Sequence, residues 1–309
     1  MSYLSSDLIT SVKKRANVPT SQSTFQTADF LRFADEEIRS KILPLVLKNL
    51  EDYYIWKSDT LVVPTQSSYL IPTRAVGAKL RDVELVLVAD DQTRVPLERL
   101  NREDLLASYT GAGTGCFIRR KQGFYFDGNK VVIYPNPIGI GQAWYLRQTY
   151  YSRPSQLVDV TACALVSSIN AGLNQITVAS LPSTISTSTT VDFVKANPHF
   201  ECSAIDQSIT NISGTTLTFS ATLPTDLSVG DYVCLSGQSC VIQVPVEIQP
   251  LLYQYVVVRC LSSQGDKEQL ADEVSEIKKM EENALILLSP RVDGKAKRAS
   301  NSRGMNRFV

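Results

Sequence analysis

Apolar residues recur at three- and four-residue intervals at both ends of this 309-residue chain and at two-residue intervals through its middle. The ends are therefore predicted helical and the middle β. Leu8, Ile9 and Val12 share one face of a first helix over 6–16, which Ser6 or Asp7 is placed to cap. Pro19 and the polar run 20–24 lead to a second helix. Thr27 is its predicted N-cap, and Asp29 lies in the first turn, where the helix dipole favours negative charge. Phe30, Ala34, Ile38, Ile42, Leu45 and Val46 form its apolar stripe, with Asp35, Glu36, Arg39 and Lys41 on the other side. Pro44 falls inside this pattern and predicts a kink or a short break.

From about residue 58 the period is two. Strands are predicted at 60–63, 69–71, 82–88, 94–96, 116–119, 123–126, 130–134 and 143–151, with a short helix over 97–107. Asp127-Gly128-Asn129 between two apolar strands signals a tight hairpin. A second β block, rich in Ser, Thr, Val and Ile, follows with strands near 164–169, 175–178, 190–194, 208–212, 216–219, 232–235 and 240–243. Short strands at such close spacing suggest a small barrel or sandwich. After Pro245 the helical period returns. Residues 247–263 are apolar almost all round, which predicts a helix buried on most sides. A last helix over 266–288 repeats Leu270, Val274, Ile277, Glu281, Ala284 and Leu288 at nearly heptad spacing.

Neither terminal pair of helices can bury its apolar faces alone. The expected fold is accordingly α+β: a four-helix bundle formed by 1–57 and 244–290, with a large two-part β insertion, 58–159 and 160–243, between helices two and three. Residues 291–309 hold six Lys/Arg against one Asp, a net charge of +5, and no apolar period until Met305, Phe308 and Val309. They read as an extended basic tail that orders on a partner.

Composition narrows the function more by exclusion than by assignment. Lys+Arg and Asp+Glu are both 31, so the formal net charge is zero. That argues against a nucleic-acid coat or a membrane-surface protein. No apolar run has the roughly 18–20 residues of a membrane span, and the N-terminus lacks the order of a signal peptide, so the expected place of synthesis is the cytoplasm. The six cysteines, Cys116, Cys163, Cys202, Cys234, Cys240 and Cys260, form no Cys-x-x-Cys pair, and most stand in apolar runs. They read as buried small hydrophobes with no metal site.

His199 is the sole histidine, and Cys202 lies near it, but a loop histidine is the simpler reading. The run 111–115 (GAGTG) precedes a predicted strand and not a helix, so it does not form a phosphate loop. Paired carboxylates at 35–37, 90–91 and 281–282 read as solvated helix faces, and Asp90-Asp91-Gln92 as a hairpin turn. No catalytic set and no cofactor site is expected. Tyr53, Tyr54 and Trp56, and Trp144, Tyr145, Tyr150 and Tyr151 with Arg147 and Arg153, form two aromatic clusters. Aromatics with Arg suit base stacking, interface anchoring or plain core packing. Tyr53, Tyr54, Trp56, Tyr150, Tyr151 and Arg153 are the candidate inter-subunit or tail contacts.

The segments 4–15 (LSSDLITSVKKR), 27–37 (TADFLRFADEE), 69–82 (YLIPTRAVGAKLRD), 244–265 (VPVEIQPLLYQYVVVRCLSSQG) and the Arg-rich end resemble the head-to-tail adaptor (connector) proteins of tailed bacteriophages, in a variant with an unusually large β insertion. The resemblance implies a structural role in the virion neck, between capsid and tail, and no enzymatic activity. It implies a homo-oligomeric ring, expected to be a dodecamer, that contacts the portal protein and the tail or nozzle proteins and passes double-stranded DNA without sequence specificity. Arg298, Arg303, Arg307 and Phe308 would then bind the portal, charge for steering and the aromatic for anchoring. A collar or tail-fibre-attachment protein of the virion is the alternative.

Overall fold

The computed structural model describes residues 3–19, 25–101, 123–134, 142–196, 202–265 and 267–289. Helix α1 (Ser5–Arg15) starts one residue before the prediction, and neither Ser6 nor Asp7 caps it. Leu4 holds the N-cap position instead and forms an antiparallel bridge to Val241, while the Ser5 N–H donates to the Cys240 carbonyl at 2.8 Å. A distant strand-like segment thus satisfies the helix-end donor that a side chain usually serves.

Helix α2 (Thr27–Glu37) takes Gln26, not Thr27, as N-cap; the Asp29 carboxylate accepts the Gln26 backbone N–H at 2.8 Å. The helix then widens into a π turn, Ile38–Ile42, and resumes as α3 (Leu43–Asn49), whose first turn contains Pro44. Proline has no N–H to give and crowds the carbonyl four residues back. The widened turn absorbs that clash, so the predicted break is a bulge one turn before the proline.

Sixteen strands follow in four sheets among the described residues. The first sheet comprises β1 (Ile55–Leu61), β3 (Ala75–Leu87), β4 (Asp90–Pro96) and β8 (Trp144–Ser152) in the order β1-β8-β3-β4. The second comprises β2 (Ser68–Leu70), β5 (Glu98–Arg99), β6 (Gly123–Asp127) and β7 (Lys130–Tyr134) in the order β2-β7-β6-β5. Leu85, Leu146 and Tyr150 of the first meet Tyr69, Val131 and Ile133 of the second in one apolar core, so the two sheets form a sandwich. Gly128 (φ +57°) turns the β6–β7 hairpin at the predicted place.

The short helix expected over 97–107 is not formed in its described part. Glu98 and Arg99 run parallel to Gly123 and Phe124 as a strand, and residues 102–107 lie outside the described residues, as does the predicted strand 116–119. Gly123 explains the change: a Cβ there would stand 2.3 Å from the Glu98 carbonyl, so only glycine permits this approach.

The second β block closes into a six-stranded barrel of β10 (Ala164–Asn170), β11 (Gln175–Val178), β14 (Thr216–Phe219), β13 (Cys202–Ser213), β12 (Thr190–Val194) and β15 (Tyr232–Leu235), in that order. Val166, Ile176, Phe193, Leu217, Phe219 and Val233 fill its interior. The predicted strand 240–243 does not form; the chain instead makes a short parallel pair of β9 (Gln156–Leu157) with β16 (Gln238–Ser239), then the bridge at Val241.

Helices α4 (Gln249–Gln264) and α5 (Lys267–Leu287) are the last described elements, with Gly265 between them in the left-handed conformation (φ +80°). Helix α4 packs on α1, α2 and α5. None of the helices is long and apolar enough, among the described residues, to cross a membrane.

The predicted architecture, a four-helix bundle from the two chain ends carrying a β insertion, is corrected by this arrangement. The helical segments are few, and the sheets, with their own apolar cores, make up most of the described structure. The helical layer is also no closed bundle: its core takes in Tyr54, Leu157, Ile242 and Val244, which lie outside the α-helices. The reason is that two-sided β segments bury their apolar faces against one another and need no bundle to lean on.

Asp35 fastens the helical layer to the strands. Its Oδ1 accepts the Leu157 backbone N–H at 2.9 Å. Burial pushes its carboxyl up to about 6, against the opposing pull of the Leu157 N–H and Arg39. A carboxyl that keeps its proton longer in the folded state adds stability that is complete below about pH 4 and gone above about pH 6. Wild-type stability is expected to fall by roughly 1.4 kcal/mol per pH unit across that window from this group alone. Asp35→Asn, which retains an acceptor for Leu157, should remove this part of the slope and raise the unfolding free energy at pH 7. Urea unfolding of both proteins from pH 4 to 7 checks this; parallel curves would refute it.

Candidate functional site: a sheet–barrel junction, a thiol cluster and an exposed helix end

The turn before β3 carries Arg74 from the sandwich to the barrel. Its Nη2 donates to Asp192 Oδ2 at 2.7 Å, to Ser236 Oγ at 2.9 Å and to Asp206 Oδ1 at 3.2 Å. Asp192 is fully buried on β12 and also accepts the backbone N–H groups of Asp206 and Gly237, each at 2.9 Å. Asp206 adopts φ +56°, a costly conformation for a residue with a Cβ, in the same place. Burial raises the Asp192 carboxyl above its ordinary value, with Arg74 acting in the opposite direction. The pair therefore locks two β units through a desolvated charge that has all its partners.

Beside this junction lies an open cleft of about 640 Å³, lined by Lys57, Asp59, Arg74, Tyr150 and Asp206 among others. Asp59 in its wall is already engaged: Arg147 donates to both of its carboxylate oxygens (2.8 and 2.7 Å) and to Asp91 at 2.7 Å. Arg147 was one of the basic residues interleaved with the second aromatic cluster. With two carboxylates on its guanidinium it is neutralised on the sheet and is not free to meet a phosphate. Asp90 and Asp91 open strand β4, and the hairpin turn itself falls at 88–89.

Cys163, Cys234 and Cys240 converge at the foot of the barrel, their Sγ atoms all within 4.8 Å of one another and all three buried. Cys163 directly precedes β10, Cys234 lies within β15, and Cys240 directly follows β16. Hydrogen bonds from Cys234 and Cys240 pull the Cys163 thiol below its ordinary value; burial pushes Cys234 up, and the bond with Cys163 pushes Cys240 up. Spacing along the chain gave no sign of this cluster, because the β10–β15 ladder and the turn after β16 assemble it.

The aromatic candidates divide. Tyr54 is fully buried and donates its hydroxyl to the Gln243 carbonyl at 2.8 Å, and Tyr150 is buried in the sandwich core. Both are enclosed by this chain. Tyr53 packs edge-on against Tyr54 at 5.0 Å and Trp56 stands opposite Tyr150 across the β1–β8 ladder; both are half-buried. Tyr151 lies half-buried under Lys79, and Arg153 is exposed. His199, the 111–115 glycine run and the tail with Arg298, Arg303, Arg307 and Phe308 lie outside the described residues.

The last helix ends in three consecutive exposed apolar residues, Leu285 (42%), Ile286 (71%) and Leu287 (58%), with Val274 also exposed further up. Only Ile277, Ala284 and Leu288 of this segment are buried against α4, with Leu270 and Met280 partly so. An apolar run left bare at the end of a helix is the kind of feature that a partner covers.

A family model described as SU10 adaptor protein matches residues 1–192. The chain belongs to that phage head–tail adaptor family. The matched span covers α1 to α3, both sheets of the sandwich, and the barrel as far as β12. It includes three of the segments on which the resemblance rested, 4–15, 27–37 and 69–82; the segment 244–265 and the Arg-rich end lie beyond it. No curated protein matches the chain. As a member of this family the protein has a structural role in the virion neck, where its kind interacts with portal and tail proteins.

Arg74 falls within the span shared with the adaptor family, and its loss should be severe. Arg74→Ala leaves Asp192 buried without its counter-charge and is expected to cost about 3–5 kcal/mol of unfolding free energy. Arg74→Met combined with Asp192→Asn should recover part of that loss, because it removes the buried charge but leaves one of the two backbone N–H groups of Asp206 and Gly237 without its acceptor. Denaturant unfolding of the three proteins tests the pair; a cost below about 1 kcal/mol for Arg74→Ala would place it with exposed surface ion pairs instead.

Proposed function

We propose that copies of this adaptor form a ring, a dodecamer, between the portal and the tail of a tailed phage, and that DNA passes through the ring's lumen. The observation that carries this reading is the adaptor-family match over residues 1–192. The zero net charge supports it, because a strongly basic lumen would hold DNA and not release it. The exposed apolar end of α5 supports it too, as a surface that the neighbouring copy covers in the ring.

In this reading the basic tail 291–309 reaches into the portal, with Arg298, Arg303 and Arg307 attracting an acidic surface and Phe308 filling a pocket. Tyr53, Trp56, Tyr151 and Arg153 keep exposed area for contacts with a neighbour or with tail or nozzle proteins. The protein is made in the host cytoplasm and ends in the virion.

Pull-down of the full-length protein with the portal from the same genome, followed by imaging, should give a ring seated on the portal. Deleting 291–309 should abolish capture while leaving the thermal unfolding temperature unchanged. Capture that survives the deletion would remove the tail from the contact, and no capture at low or moderate salt would favour the collar or fibre-attachment reading.

Separately, Ile286→Glu should leave the monomer's unfolding temperature within about 2 °C of wild type, since it alters an exposed site. It should also prevent ring closure on the portal. Rings of normal size and number with Ile286→Glu would show that this helix end faces solvent.

A further inference from the structure

The three thiols at the foot of the barrel are placed as a ligand set. Each is delivered by a different, firmly held piece of backbone. Cys163 adjoins Ala164, which pairs with Val233, the neighbour of Cys234. Its own N–H donates to Val160 at 3.1 Å, closing the turn before β10. Cys240 is fixed by its carbonyl, which accepts the Ser5 N–H. Three sulfurs on one ion at Zn–S or Cu–S distances of about 2.3 Å lie about 4 Å from one another. The observed cluster is within a small side-chain adjustment of that spacing.

We propose that Cys163, Cys234 and Cys240 together bind one thiophilic cation, zinc(II) or copper(I), as thiolates. Soft thiolate donors select these ions over magnesium or calcium. The influences on the three sulfurs are one another, burial, the Cys240 backbone N–H and, at Cys163, the Asp159 carboxylate; none of these is a cation. A bound cation would supply the positive charge that a buried thiolate needs. Each coordinating sulfur releases its proton to solvent on binding, and no electron is transferred. The ion would tie β10, β15 and the β16 turn to the strap 3–5 that leads into α1, stapling the barrel to the helical layer independently of any ring.

Beside the cluster, the Ser5 hydroxyl is buried and has no hydrogen-bond partner among the described residues. The Ser5 backbone is joined to Cys240 through its N–H bond. Zinc takes four ligands in closed structural sites, whereas copper(I) is served by three sulfurs. The coordination number therefore distinguishes the two ions.

The test uses the full-length protein purified anaerobically in reductant. Elemental analysis, before and after adding zinc(II) or copper(I), should give one ion per chain. Cobalt(II) should produce a near-ultraviolet thiolate charge-transfer band. Cys234→Ala with Cys240→Ala should abolish uptake and band, whereas Cys202→Ala should preserve both. X-ray absorption showing three sulfurs and one oxygen identifies zinc, and three sulfurs alone copper(I); either supports the site. If the double variant does not fold, alkylation of the wild type decides: bound metal should slow modification of Cys163, Cys234 and Cys240 at least tenfold, relative to Cys202, in peptide mass spectra. Folded wild type that takes up none of the three ions, or uptake unchanged in the folded double variant, overturns the proposal and leaves the thiols as core packing.

Discussion

Helix α4 presents apolar side chains in nearly every direction, so it cannot rest on a surface and has to be enclosed. Its cover comes from far away in the chain. Helices α1 and α2 supply Leu8, Val12, Phe30 and Ala34, α5 closes another side, and Leu157, Ile242 and Val244 arrive from the edges of the β units. Burial of this one helix therefore determines how the ends of the chain meet. At about 25 cal/mol per Å² of apolar surface removed from water, that enclosure outweighs any single polar contact in the layer.

Polar contacts decide something different, namely how the separately cored units are oriented. The Arg74–Asp192 pair, the Asp35 acceptor at Leu157 and the Leu4–Val241 bridge each join two units at one point. A buried ion pair contributes little net stability over an apolar substitute, because desolvation offsets the attraction. It does penalise any arrangement in which the charges do not meet. In a structural protein of the virion neck, buried directional contacts are suited to fix the angles between units.

Several basic side chains are paired within the described residues. Arg147 is held by Asp59 and Asp91, Arg81 by Asp52, and Arg259 by Glu37. The three consecutive exposed apolar residues at the end of α5 lie next in sequence to the most basic stretch of the chain.

Local periodicity was enough to place most elements. The 3.6-residue stripe of α2, the apolar circumference of α4, the Asp-Gly hairpin of β6–β7 and the strands β7, β11, β12, β14 and β15 could all be read from residue order, because each depends on neighbours a few positions away. The family could be read too, from short segments near the N-terminus. Three things could not. Whether the sheets or the helices dominate depends on which apolar faces find each other, so the expected bundle with an insertion gave way to a sandwich and a closed barrel with their own cores. Strand β5 in place of a helix depended on Gly123 admitting a carbonyl from a distant segment. The Arg74 junction and the three-thiol cluster join residues far apart in sequence, with no spacing rule to mark them; only the ladder registers and the barrel's closure bring those atoms within reach of one another.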